Sequence, residues 1–224
     1  MATHRATVFA VGQTYHVFNK GIDGRTTFGE YKEYTRAVQL LFFYHFSDLP
    51  LRYSHFLKLP DDATSKILTQ CREKQTPVVS LLAYCLMPNH FHLLVHQAME
   101  HGVSQFLAYF QNSYTKYFNT KTQRSGPLFQ GPFKAVRVET DDQLLHVSRY
   151  IHLNPVTAYL VKIDKLDTYA WSSWSEYMGS NKEGFCDTEP VLSHFLSVEH
   201  YRQFTLDHAS YARELKKVKR LALE

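Results

Sequence analysis

The runs "VVSLLAYCL" and "HFHLLVHQ" lie on either side of the turn "MPN", and they limit the fold more than any other part of the chain. β-Branched and aromatic residues flanking a Pro-Asn break are the pattern of an antiparallel hairpin. A sheet is therefore required, and the remaining segments must cover it. "TYHVFNKG" (14–21) is rich in β-formers and ends in glycine, which predicts a first strand. "EYKEYTRAVQLLFFYHF" (30–46) has apolar residues at helical spacing and no Pro or Gly, so it reads as a helix. Between 47 and 77 the expectation is a short extended piece and then a helix from about Asp62.

"GVSQFLAYFQNSYTKYFNTKTQ" predicts a long helix that stops near Ser125-Gly126-Pro127. "PFKAVRV" (132–138) reads as another strand. "ETDDQLLHVSRYIHLNPV" follows as a helix, with Thr140 and Gln143 in the capping-box relation and Pro155 placed to kink or end it. The order strand, helix, hairpin, helix, strand, helix points to an α+β sandwich, a mostly antiparallel sheet with helices packed on it.

A length of 224 residues favours one elaborated domain or a domain with an appendage. The division falls near 180, giving a main domain over 1–180 and a C-terminal extension over 181–224. In the extension "NKEGFCDTEP" reads as a linker-like break, "VLSHFLSVEHYRQFTL" as an amphipathic helix and "RELKKVKR" as a basic tail. Cys71, Cys85 and Cys186 are odd in number and lack zinc spacing, so neither a disulfide framework nor a structural zinc is expected, and a reducing cytoplasm fits. No signal-peptide core or membrane-length apolar run is present, so no membrane partner is expected.

A net charge of +4 says little about partners, but its distribution says more. No acidic residue occurs between Glu100 and Glu139, whereas Lys116, Lys121, Arg124, Lys134 and Arg137 all fall there. Eight Phe and Tyr residues run through the same stretch, from Phe106 to Phe133. Basic and aromatic residues together can grip phosphates and stack on unpaired bases. A core helix with a solvated basic face accounts for the same composition.

His90 and His92 are two apart on the second hairpin strand, so both leave the same face while Phe91 enters the opposite layer. Two imidazoles converging in this way can hold a divalent metal. Thirteen histidines in this length give on the order of one such pair by chance. "RYIHLNPV" adds an independent element: Tyr150 and Asn154 are four apart on one helix face, with His146 one turn before them. Leu144, Val147 and Ile151 form the adjoining stripe that would seat this helix on the sheet. On the residues alone, Tyr150 as a buried core ring and Asn154 as a helix-end residue before proline remain open.

"MPNHFHLLV", then "NSYTKYFNTKTQRSGPLFQGPFKA" and "LLHVSRYIHLNPVTAYLV", resemble the single-tyrosine HUH transposases, specifically the REP-associated tyrosine transposase branch. The resemblance covers about residues 14–178, and the extension is similar to one that many such proteins carry. It implies a ferredoxin-like α+β fold and transfer of single-stranded DNA strands at hairpin sites. It also implies Mg²⁺ or Mn²⁺ held by His90, His92 and Asn154, with Tyr150 as the nucleophile that forms a 5′-phosphotyrosine. Single-stranded or hairpin DNA is the expected partner, contacted by Lys116, Lys121, Arg124, Lys134 and Arg137, with the protein nucleoid-associated when bound. A domesticated hairpin-binding protein without cleavage is the alternative, and monomer and homodimer are both compatible. The chain departs from the family in "GPLFQGPFKA", where Phe129, Gln130 and Pro132 replace the usual Trp, acid and base. The resemblance therefore implies no particular DNA contacts at those three positions.

Overall fold

The computed structural model describes residues 7–47, 49–74, 77–181 and 184–208. Its elements are β1 (Thr14–Lys20), α1 (Tyr31–Tyr44), α2 (Tyr53–Phe56), α3 (Asp61–Lys74), β2 (Val79–Met87), β3 (His90–Gln97) and α4 (Gly102–Lys121). They continue with β4 (Lys134–Val138), α5 (Asp141–Thr157), α6 (Trp174–Tyr177), α7 (Glu189–Leu192) and α8 (Val198–Leu206). The four strands form one sheet in the order β2-β3-β1-β4, and every neighbouring pair is antiparallel. This is the expected ferredoxin-like α+β arrangement: β1 and β3 are central, and the helices lie on both faces.

Strand alternation divides the sheet into two chemically different sides. On one, Tyr15, Val17, Phe91, Leu93 and Val95 are buried beneath α1 and α4 in a core that also takes Phe106, Phe110, Tyr114 and Phe118. The periodic aromatics of α4 are thus mainly core residues, as the plainer reading of that helix holds. On the other side Cys85, Met87 and Leu94 pack with Ile151, Leu153 and Val156 of α5 in a second core. Where α4 starts, its backbone passes so close to β2 that a Cβ on Gly102 would lie 2.1 Å from the Val78 carbonyl oxygen. Glycine is needed there for space rather than for an unusual φ.

Several local expectations need correction. The short extended piece before α3 is a single helical turn, α2, whose Tyr53 and Phe56 are buried against Phe43. Pro155 does not end its helix, because α5 runs on to Thr157. The proline forfeits one bond, to the Ile151 carbonyl, and helical bonding resumes beyond it, with Ala158 N donating to the Asn154 carbonyl at 2.9 Å. At the other end Thr140 Oγ1 accepts from Gln143 N at 3.2 Å, whereas the Gln143 side chain caps Glu139 N rather than Thr140 N. The amphipathic run near the C-terminus is two helices, α7 and α8, interrupted over 193–197. The basic tail "RELKKVKR" lies outside the described residues.

The helices of the extension fasten to the back of α5. Tyr201 of α8 is fully buried, and its hydroxyl donates to Ser148 Oγ at 3.2 Å. The same hydroxyl meets His152 Nδ1 at 2.7 Å, while His152 Nε2 meets Ser173 Oγ at 2.8 Å. A neutral His152 with its proton on Nδ1 satisfies both contacts, one as donor and one as acceptor. Burial accordingly lowers its pKa to about 3.

Two outcomes follow for stability. Tyr201→Phe leaves the buried His152 donor without its partner and should cost about 1–3 kcal/mol in urea unfolding. An unchanged midpoint would contradict the bonding described. In acid, the unfolded chain protonates His152 near its ordinary value of about 6.5 while the folded chain resists until about pH 3. Proton uptake by the unfolded state then lowers stability as pH falls through that window, by up to about 1.4 kcal/mol per pH unit from this group. The slope of stability against pH should be smaller in His152→Leu, and an identical slope in both proteins would refute the assignment.

Candidate active site

The pairing of β1 with β3 sets Phe18 opposite His92 and Lys20 opposite His90. Cross-strand partners share a face, so His90, His92, His16, Phe18 and Lys20 form one surface on the α5 side. β4 extends it, with Lys134 opposite Phe18 and Val136 opposite His16. Phe91, between the two histidines, is fully buried in the other core and edges against Phe110 and Phe129. The apolar anchor on one side of β3 therefore fixes the direction of the imidazoles on the other.

The rings of His90 and His92 are 5.1 Å apart and perpendicular. His90 Nδ1 lies 2.6 Å from Asn89 Oδ1, and His92 Nδ1 lies 2.9 Å from His16 Nε2. Burial lowers the His16 pKa to about 4, so this ring is neutral near pH 7 and its Nε2 can accept a hydrogen bond from His92 Nδ1–H. In the tautomer that makes both Nδ1 atoms donors, the remaining lone pair of each ring is on Nε2.

α5 carries Tyr150 to this surface. Its ring centroid lies 5.3 Å from that of His92 and 5.8 Å from that of His16, in edge-on contact with both. Tyr150 remains 49% exposed, and is therefore reachable from solvent. Partial burial raises the phenol pKa above its ordinary value, while hydrogen bonding to the Asn154 side chain acts in the opposite direction by favouring the phenolate. Asn154 is buried one turn later, and its Nδ2 donates to the Tyr150 carbonyl at 2.9 Å.

Two imidazoles on one strand face offer two nitrogen donors to a divalent cation. No group of three His, Cys, Asp or Glu side chains arranged for a metal occurs among the described residues. A cation here would thus need the Asn154 oxygen, with water or substrate oxygens, to complete its shell.

The other histidines of α5 do not join this surface. His146 faces Asp142 at 3.3 Å and contacts Arg149, near Phe204 of α8, and His152 is sealed behind the helix. His146 is therefore oriented toward the extension, which weakens it as a base for Tyr150.

The five basic residues separate. Lys134 shares the histidine surface and is exposed, whereas Arg137, opposite Tyr15, lies on the other face and donates to Gln13 Oε1 at 2.6 Å. Lys116, Lys121 and Arg124 belong to α4 and the turn after it, across the sheet from Tyr150. Lys121 is held by Glu33 at 2.7 Å and Glu30 at 2.9 Å, and Arg124 by Asn119 Oδ1 at 2.7 Å and the Pro127 carbonyl at 3.0 Å. Phe129 is a buried core ring, while Gln130 and Pro132 are exposed.

His16, Phe18 and Lys20 were missed by sequence reasoning, although the alternation of "TYHVFNK" puts all three on one face. Only the β1–β3 register places that face beside His92.

Residues 51–154 match the family model described as transposase IS200 like. No curated protein matches the chain. Among solved structures, a REP-associated tyrosine transposase bound to a REP hairpin is similar in fold, with a TM-score of 0.54 and 13% sequence identity. The likeness covers 80% of this chain and 86% of that one. The matched segment 51–154 contains the histidine strand and the tyrosine helix as far as Asn154.

Proposed function

We propose that the chain nicks and rejoins single-stranded DNA at hairpin-containing sites through a covalent 5′-phosphotyrosine on Tyr150. The observation that carries this reading is the placement of a half-exposed phenol directly beside His92, on the sheet face it shares with His90. The match of residues 51–154 to the IS200-like transposase model supports a DNA-processing activity. A hairpin substrate is suggested by the REP hairpin bound to the structurally similar transposase.

In this reading Tyr150 Oη attacks the scissile phosphorus in line. One P–O bond forms to the tyrosine, and the bond to the 3′ oxygen breaks, leaving a 3′-hydroxyl after protonation. The new phosphodiester conserves the energy of the old one, so a second 3′-hydroxyl can reverse the step without a nucleotide cofactor. His90, His92 and Asn154 would hold Mg²⁺ or Mn²⁺, which supplies charge withdrawal and orientation at the phosphate when bound. His16 orients His92 through its Nε2, and Phe18 packs against the same ring at 5.6 Å. Lys20 and Lys134, exposed on this surface, are positioned to neutralise backbone phosphates entering it. Such an enzyme would work in the cytoplasm on nucleoid DNA.

Purified protein incubated with labelled hairpin DNA and Mn²⁺ should give an adduct that survives a denaturing gel, and Tyr150→Phe should give none. Binding without any adduct would instead assign a hairpin-binding protein that does not cut. An adduct that persists in Tyr150→Phe would overturn the choice of nucleophile.

Because its pKa is raised, Tyr150 is protonated near neutral pH and must lose its proton during attack. The single-turnover rate of adduct formation should therefore rise with pH through neutrality. A rate independent of pH from about 6 to 9 would contradict attack by this phenol. His16→Gln should weaken Mn²⁺ binding by about 10–100-fold while leaving the fold intact, as expected for a partner that orients a ligand. Unchanged Mn²⁺ affinity would remove that role.

A further inference from the structure

On the far side of the sheet from Tyr150, a groove of about 1000 Å³ opens between α1, residues 49–58 and α4. That volume is at the upper end of ordinary ligand pockets. Arg36, Arg52, Lys58 and Lys116 line it, and none of its described lining residues is acidic. Lys121 also lines it, but Glu30 and Glu33 already neutralise it. The remaining cations make the groove complementary to a polyanion.

The rings narrow the choice of polyanion. Tyr109 is 49% exposed, with its ring 5.5 Å from that of Tyr44, so it presents an open face to the groove. Arg36 lies between two further rings, its guanidinium carbon 5.1 Å from the centre of Tyr53 and 4.8 Å from that of Tyr117. Held there, the guanidinium is a pre-oriented planar cation that forms part of the wall. A duplex hides the faces of its bases, whereas an unpaired strand can stack bases on Tyr109 while its phosphates meet Arg52, Lys58 and Lys116.

We propose that this groove is a second nucleic-acid site, which takes an unpaired stretch of single-stranded DNA on the sheet face opposite Tyr150. The choice of DNA rests on the chemistry proposed at Tyr150; the choice of an unpaired strand rests on the rings and cations of the groove. One strand could then be held on α1 and α4 while another segment reaches the histidine surface. This gives Lys116 the phosphate-binding use expected from sequence, at a place remote from the pocket.

The test measures binding of a fluorescent oligothymidylate to the full chain over a salt series, with a duplex of equal length as comparison. Tyr109→Ala should weaken single-strand binding about tenfold, and Tyr109→Phe, which retains the stacking face, should bind like wild type. Arg52→Gln, Lys58→Gln and Lys116→Gln combined should reduce the slope of log affinity against log salt by about 2. These exposed positions should leave thermal unfolding unchanged. Both variants should still form the covalent adduct with a short oligonucleotide that fills only the Tyr150 pocket, which separates failure of this site from failure of the chemistry. Wild-type affinity and salt slope in both variants would overturn the proposal. So would equal or tighter binding of the duplex with the same dependence on Tyr109.

Discussion

The register of β1 against β3 is the constraint on which the rest of the molecule depends. With Phe18 opposite His92, three imidazoles gather on one face while Phe91, Leu93 and Val17 fill the core on the other. A slip of one residue would turn the histidines into that core and the phenylalanine toward solvent. Burial of Phe91 opposes such a slip, because about 2–3 kcal/mol of apolar transfer free energy would be lost at that ring alone. The histidine surface is in this sense a by-product of correct packing behind it.

The second requirement is the position of α5. Ile151, Leu153 and Val156 seat the helix, Tyr150 emerges at its open edge, and Asn154 ties back to the Tyr150 carbonyl. Behind the helix, the Ser148, His152 and Tyr201 contacts hold it to α8. The tyrosine is thus supported from both sides of its helix while its own ring remains partly in solvent. That combination suits a group that must meet a polymer at a fixed distance from a pair of histidines.

Much of this was legible in the chain because it depends on short-range pattern. The hairpin around Met87-Pro88-Asn89, the strand at 14–20 and the helix carrying Tyr150 all follow from periodicity and turn chemistry. What could not be read were features set by partners distant in sequence. His16 looks like any strand histidine until the register brings it against His92. Lys121 and Arg124 look like free cations until Glu33 and the 119–127 turn claim them. The basic run of α4 suggested a single DNA-binding surface, but a sheet lies between it and the tyrosine. Pro155 misled because Val156, packed in the second core, carries the helix on past it.

The central claim is that the sheet-borne histidines and the tyrosine of α5 face one cation-sized space. Anomalous diffraction at the manganese edge from crystals grown with Mn²⁺ tests it directly. A single peak within about 2.0–2.3 Å of the Nε2 atoms of both His90 and His92, on the side of the Tyr150 ring, is the result this account requires. A well-occupied manganese elsewhere, with none between those two rings, would contradict it.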